Sequence, residues 1–122
     1  MRYMLLAYSD ENVWDEGRRE QCYRDSGQIV LDLQAAGHSV VAAPLHPVAT
    51  ATSVRVRDGQ RLVTDGPFAE TREQLGGSFI VDVRDLDEAI AIASRLPSAE
   101  LGTIEIRPIL DVPGIPDGLP GR

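Results

Sequence analysis

Hydrophobic and polar positions recur with two different periods along this chain, and each change of period marks an element. Tyr3 to Ser9 is apolar on both faces, as expected of a strand covered on both sides. Ser9-Asp10-Glu11-Asn12 ends it. From Asp15 to Ala36 the apolar or small residues Cys22, Ser26, Ile29, Val30, Leu33 and Ala36 fall at three- and four-residue steps, which predicts an amphipathic helix. Asp15 and Glu16 suit the positive end of that helix, and Gly37 suits the left-handed position just past its end. Gly17 and Gly27 each weaken it by ~1 kcal/mol relative to Ala, so packing has to hold it.

Ser39 to Leu45 predicts a second strand, kept to an edge by Pro44 and Pro47. Ser53 to Arg57 and Gln60 to Thr64 alternate around Asp58-Gly59, a strong hairpin signal because both turn positions need positive φ. Val63 to Gly77 is rich in turn formers and carboxylates and reads as a crossover, with Gly76-Gly77 permitting re-entry into a strand over 78–83. Asp85-Leu86-Asp87-Glu88 has capping-box spacing and opens a second helix. Its expected buried stripe is Leu86, Ala89, Ile90, Ala93 and Leu96, and Pro97 is expected to stop it. Thr103 to Arg107 alternates as the last strand. The domain is expected to span residues 1–110, with 111–122 an extended tail rich in Pro and Gly.

The order strand-helix-strand, hairpin and crossover, strand-helix-strand predicts an α+β chain of the ferredoxin-like split-βαβ type with an inserted β-hairpin. Both helices on one face of an antiparallel sheet leave the other face bare. If Ile104 and Ile106 point at the helices, Thr103, Glu105 and Arg107 share the open side. The first strand adds Met4, Leu6 and Tyr8, or else Tyr3, Leu5 and Ala7, apolar either way. A face mixing such residues with charges predicts a homodimer through the sheet face, burying the apolar part and enclosing a polar cavity for a small molecule.

Composition narrows the function classes. With 122 residues the chain is one domain, and its net charge of -7 argues against nucleic acid because the basic residues do not cluster. All 12 basic side chains are Arg. No apolar run approaches the ~20 residues that span a bilayer, so no membrane contact is expected. The opening residues read as a strand rather than a signal peptide, and Cys22 has no disulfide or zinc partner, so the expected location is cytoplasmic.

The run Asp65-Gly66-Pro67-Phe68-Ala69-Glu70-Thr71-Arg72-Glu73-Gln74-Leu75-Gly76-Gly77 resembles the signature of the DGPF family within the YCII-related (YciI-like) group. Ala49 to Gly59, the opening Met1 to Leu6, Asp85 to Ala89 and Gly102 to Pro108 also resemble it. The resemblance implies a ferredoxin-like fold, a dimeric α+β barrel and, through members encoded beside or fused to extracytoplasmic-function sigma factors, a sigma factor as protein partner. The wider group includes a dehydrochlorinase of a chlorinated hydroxyquinol, with a histidine of its His-Asp pair on the first helix. Here the helix over 15–36 holds no histidine, so that pair does not carry over.

The residues leave several roles open. Asp65 of Asp65-Gly66-Pro67 can cap turn amides, or it can join Glu70 as general acid/base at the mouth of an inter-subunit cavity. Arg72 can neutralise Glu70 and Glu73 or anchor an anionic ligand. Phe68 reads as a loop anchor before a stacking platform. Gly76-Gly77 lacks the spacing of a phosphate-binding loop. His38 and His46, about 26 Å apart if the chain between them is extended at ~3.3 Å per residue, cannot share a metal within one chain. His46 remains a candidate general base, and Cys22 reads as core. Tyr8, Glu105 and Arg107 can line the cavity from the sheet. No cofactor and no metal are expected. Three functions stay open: a small-molecule binding module with an accessory or regulatory role, a cofactor-free enzyme on a small aromatic substrate, or a protein-protein adaptor.

Overall fold

The computed structural model describes residues 1–116. Strand β1 (Arg2–Ser9) leads through a 3-10 turn at Glu11–Val13 into helix α1 (Glu16–Ala35) and edge strand β2 (Val40–Pro44). A second 3-10 turn at Val48–Thr50 precedes the hairpin of β3 (Thr52–Arg57) and β4 (Gln60–Asp65). Strand β5 (Gln74–Asp82), helix α2 (Leu86–Arg95), the one-turn helix α3 (Ser98–Leu101) and strand β6 (Gly102–Pro108) complete the chain. The main sheet has the order β2-β5-β1-β6 with every neighbour antiparallel, and β3-β4 forms a separate two-stranded sheet. This is the ferredoxin-like split-βαβ arrangement with the hairpin inserted between its halves. Among the described residues no helix is long and apolar enough to cross a membrane.

Local chemistry explains the boundaries that match expectation. Asp15 caps α1 by accepting from Arg18 N, and Gly37 at φ 95° takes the left-handed position after it. Asp58 (φ 52°) and Gly59 (φ 75°) make the two-residue hairpin turn. Asp85 caps α2 by accepting from Glu88 N, while Glu88 reaches back to Arg84 N. His38 ties two elements together: its Nδ1 lies 3.1 Å from Asp82 O and 3.9 Å from a Glu88 carboxylate oxygen.

Register decides which face of β1 is which. Tyr3, Leu5 and Ala7 are buried; Leu5 stands between Phe79 and Ile106, and Tyr3 opposite Val81. With Leu33, Val40, Val83, Ala89, Ile92, Ala93 and Leu96 they form the core between helices and sheet. Met4, Leu6 and Tyr8 therefore lie on the open face, beside Ile80 and Ser78 of β5 and Thr103, Glu105 and Arg107 of β6.

Two expectations are corrected and a third is extended. The strand expected over 78–83 begins at Gln74, because the register of β1 with β5 shifts between Ala7 and Tyr8 and leaves Gly76 as an extra residue. Gly76-Gly77 therefore lies inside a bulged strand instead of marking re-entry. On α2 and at its C-cap, Ala89, Ala93 and Leu96 are buried as expected, but they are joined by Ile92 and not by Ile90 or Leu86, which stay 45% and 49% exposed, since the helix turns its Ala89-Ile92-Ala93 edge to the sheet. Pro97 ends α2 but also starts α3, whose first residue it caps with helical backbone angles.

The tail expected from residue 111 begins by folding back: Asp111 ion-pairs with the buried Arg2 guanidinium. The part of that tail over 117–122 lies outside the described residues.

Gly27 sits mid-helix on α1, and a Cβ built on it would meet nothing within 4 Å. Gly27→Ala is thus expected to stabilise the fold by about 1 kcal/mol through helix propensity alone, raising Tm by about 4 °C. A lowered Tm in a thermal melt would show that this part of α1 is packed and not open.

Candidate functional site

A half-open cavity of about 250 Å³ lies between α1, from Arg19 to Val30, and the helix-facing side of the sheet. Helical geometry creates it. Arg19, Cys22, Tyr23, Ser26, Gly27 and Val30 follow three- and four-residue steps and share one stripe of α1 facing the cavity. One turn further on, the same stripe continues as Leu33 and closes onto the core. Small residues at Cys22, Ser26 and Gly27 fail to fill the space above the sheet, so the helix closes onto the core at Leu33 and stays hollow over the preceding stripe.

The sheet supplies the floor. Ala7 of β1, Ala42 and Pro44 of β2, and Gly77 and Phe79 of β5 all lie on the helix side by register. Gly77 is buried where β2 passes closely: a Cβ there would stand 3.2 Å from Ala43 O and 3.3 Å from Pro44 Cα. The absent side chain both allows that approach and keeps the floor low. Ser98 of α3 closes the far side, its Oγ 4.0 Å from Cys22 Sγ, with Ser26 Oγ 3.9 Å from the same sulfur.

The rim is a hydrogen-bonded assembly of three loops. Trp14 Nε1 donates to Ser9 Oγ at 2.7 Å, which fixes the indole at the mouth. Glu11 accepts from Val48 N at 2.9 Å through its carboxylate, and its own N–H donates to Gln74 Oε1 at 2.9 Å. Gln74 in turn donates from Nε2 to Thr71 O at 2.6 Å. Glu11 and Gln74 thereby tie the β1–α1 loop, the β2–β3 connection and the crossover into one edge.

The residues singled out in the sequence divide between two other places. Asp65, Pro67, Phe68, Glu70 and Arg72 are exposed in the single chain and do not line this cavity; Phe68 is 81% exposed. The turn is held by backbone and hydroxyl groups, Gly66 N donating to Ala51 O at 2.7 Å and Ser53 Oγ to Gly66 O at 2.8 Å. Gly66 takes φ 100°, which explains the glycine. Tyr8, Glu105 and Arg107 are on the open face, where Thr103 Oγ donates to the Glu73 carboxylate at 3.2 Å. His46 is exposed, although its neighbours Leu45 and Pro47 line the cavity.

Sequence reasoning therefore missed Trp14, Arg19, Tyr23 and Ser98, and it assigned Cys22 to the core although it is half-buried against open space. The overlooked signal was the composition of the α1 stripe, where Arg19, Cys22, Tyr23, Ser26 and Gly27 are too small or too polar for a packed core. Of the long signature run, its end at Gln74, Gly76 and Gly77 borders the cavity.

Sheet order, helix placement and inserted hairpin define an α+β protein of the ferredoxin-like class. Residues 1–113 match the YCII-related domain, and the chain belongs to that family. It is also similar to an uncharacterised protein of Rhizobium meliloti (strain 1021), 38% identical over 114 residues that cover 89% of this chain and 92% of that protein.

Proposed function

We propose that this protein is a homodimeric binding protein for a small, largely apolar molecule, which it holds beneath α1 in an accessory or regulatory role. The observation that carries the reading is the cavity itself: concave, walled by Trp14, Tyr23, Val30 and Phe79, with a few polar groups converging on it. Neither histidine lines it, and the Cys22 sulfur is neighboured by two hydroxyls and no base. Acid/base catalysis by Asp65, Glu70 or His46 would need those side chains over the bound molecule, and in the single chain all three point to solvent. Binding is therefore the reading that the geometry favours.

The dimer is supported by the open face, which presents Met4, Leu6, Tyr8 and Ile80 together. The hairpin adds exposed Val54, Val56, Leu62 and Val63. Burying those side chains against a second copy removes apolar area at roughly 25 cal/mol per Å².

Trp14 is the single tryptophan and stands at the cavity mouth, so its fluorescence reports occupancy. A panel of small aromatic acids and phenols is expected to contain members that shift Trp14 emission and raise Tm together, in a particle of twice 13.3 kDa by light scattering. A monomer would remove the dimer from this reading, and a panel without any shift would remove the ligand.

A further inference from the structure

We infer that the cavity selects small aromatic monoanions, with the Arg19 guanidinium as their counter-ion. The inference rests on the binding reading above and adds the charge of the ligand to it.

Helix α1 carries three arginines in very different situations. Arg18 pairs with Asp15 at 3.7 Å and Arg24 with Glu20 at 4.0 Å, the latter also donating to Gln21 Oε1 at 3.0 Å. Both of these are exposed. Arg19 is half-buried and turned to the cavity, and among the described residues its guanidinium has no ion pair and no hydrogen bond. A guanidinium partly withdrawn from water without an acceptor is unfavourable, and a ligand carboxylate offering two oxygens in its plane restores both hydrogen bonds and charge balance.

The other ionisable group facing the cavity from the loops is Glu11, whose carboxylate is already engaged by Val48 N in holding the rim. Of the two charged groups, it is the Arg19 guanidinium that has no hydrogen-bond partner among the described residues and is left to receive a ligand. The same cavity is lined by the aromatic side chains of Trp14, Tyr23 and Phe79, which favour a flat apolar body attached to the anion. A cation would meet the guanidinium directly, and a neutral analogue would leave it unpaired.

Three probes of one shape separate these cases: phenylacetate, 2-phenylethanol and phenethylamine, each titrated by calorimetry and by Trp14 fluorescence. Phenylacetate is expected to bind at least ~10-fold more tightly than the alcohol, equivalent to one charge-assisted contact, with the amine weakest. Arg19→Gln is expected to abolish the preference without lowering Tm, since the side chain holds no partner. Arg19→Lys should keep part of the preference, and it provides the same comparison if the Gln variant does not fold. Equal binding of acid and alcohol, or a preference that survives in Arg19→Gln, overturns the charge assignment and leaves cavity binding standing. Absence of binding by all three probes overturns the cavity reading and this inference with it.

Discussion

Gly102→Ala is expected to destabilise the fold by about 3 kcal/mol, at the upper end of the range for forcing atoms into packed structure. Gly102 opens β6 opposite Ser9, where the chain leaving α3 comes against the end of β1. A Cβ at this position would overlap the Tyr8 carbonyl oxygen and would stand 2.8 Å from Ser9 Cβ and 2.9 Å from Ser9 Cα. Its φ of -156° is not left-handed, so the expected penalty comes chiefly from the atoms that the Cβ would meet. The obstacles include backbone atoms, and relief requires β1 and β6 to part. In a chain of 122 residues the expected fall in Tm is about 12 °C. Gly27→Ala makes the same chemical change on α1 with the opposite expected sign, so paired melts test the local geometry and not glycine replacement in general. A Gly102→Ala protein as stable as the parent would mean that β6 joins β1 differently.

Leu5→Ala is expected to cost about 3.5 kcal/mol, from lost transfer free energy plus the cavity left behind. Leu5 is fully buried at the centre of β1, with Phe79 and Ile106 beside it and α2 above the same core. Its cross-strand neighbours belong to two other strands, and the core it joins includes residues of both long helices, so the site cannot collapse by moving one of them. The urea midpoint should fall with the slope unchanged, as for a loss of stability without loss of two-state behaviour. A loss below about 1 kcal/mol would place the centre of the core elsewhere.

How much of this was legible beforehand depends on whether the cause is local. The hairpin was legible because Asp58-Gly59 needs no neighbour to prefer positive φ. The ends of α1 and the start of α2 were legible for the same reason, since Asp15, Gly37 and Asp85 act on amides or dihedrals within a few residues. The start of β5 was not. Two glycines in succession resemble a turn, and only the register slip against Ala7 and Tyr8, with β2 close by Gly77, makes them strand. The buried edge of α2 was misplaced at Ile90 because Ile90 and Ile92 satisfy helical periodicity about equally well until the sheet selects one edge.

The candidate site was the least legible part. The carboxylate-rich run at Asp65 to Glu73 drew the chemical candidates because its residue types are those of catalysis. Its side chains are exposed, and the cavity borders only the end of the signature at Gln74, Gly76 and Gly77.

By itself the sequence determined the order and type of the principal elements, the split-βαβ plan and the inserted hairpin, because periodicity, caps and turn residues act over a few positions. Tertiary structure alone decided which of two equally apolar faces of β1 is buried, where β5 bulges, and that α1 closes on the core at Leu33 but stands off the sheet at Cys22 and Ser26. A hollow is the difference between the volumes that facing elements supply and the distance at which they pack. That distance is set by residues remote in sequence, Gly77 and Ala7 below and Ser98 beside, and no local pattern along α1 contains it.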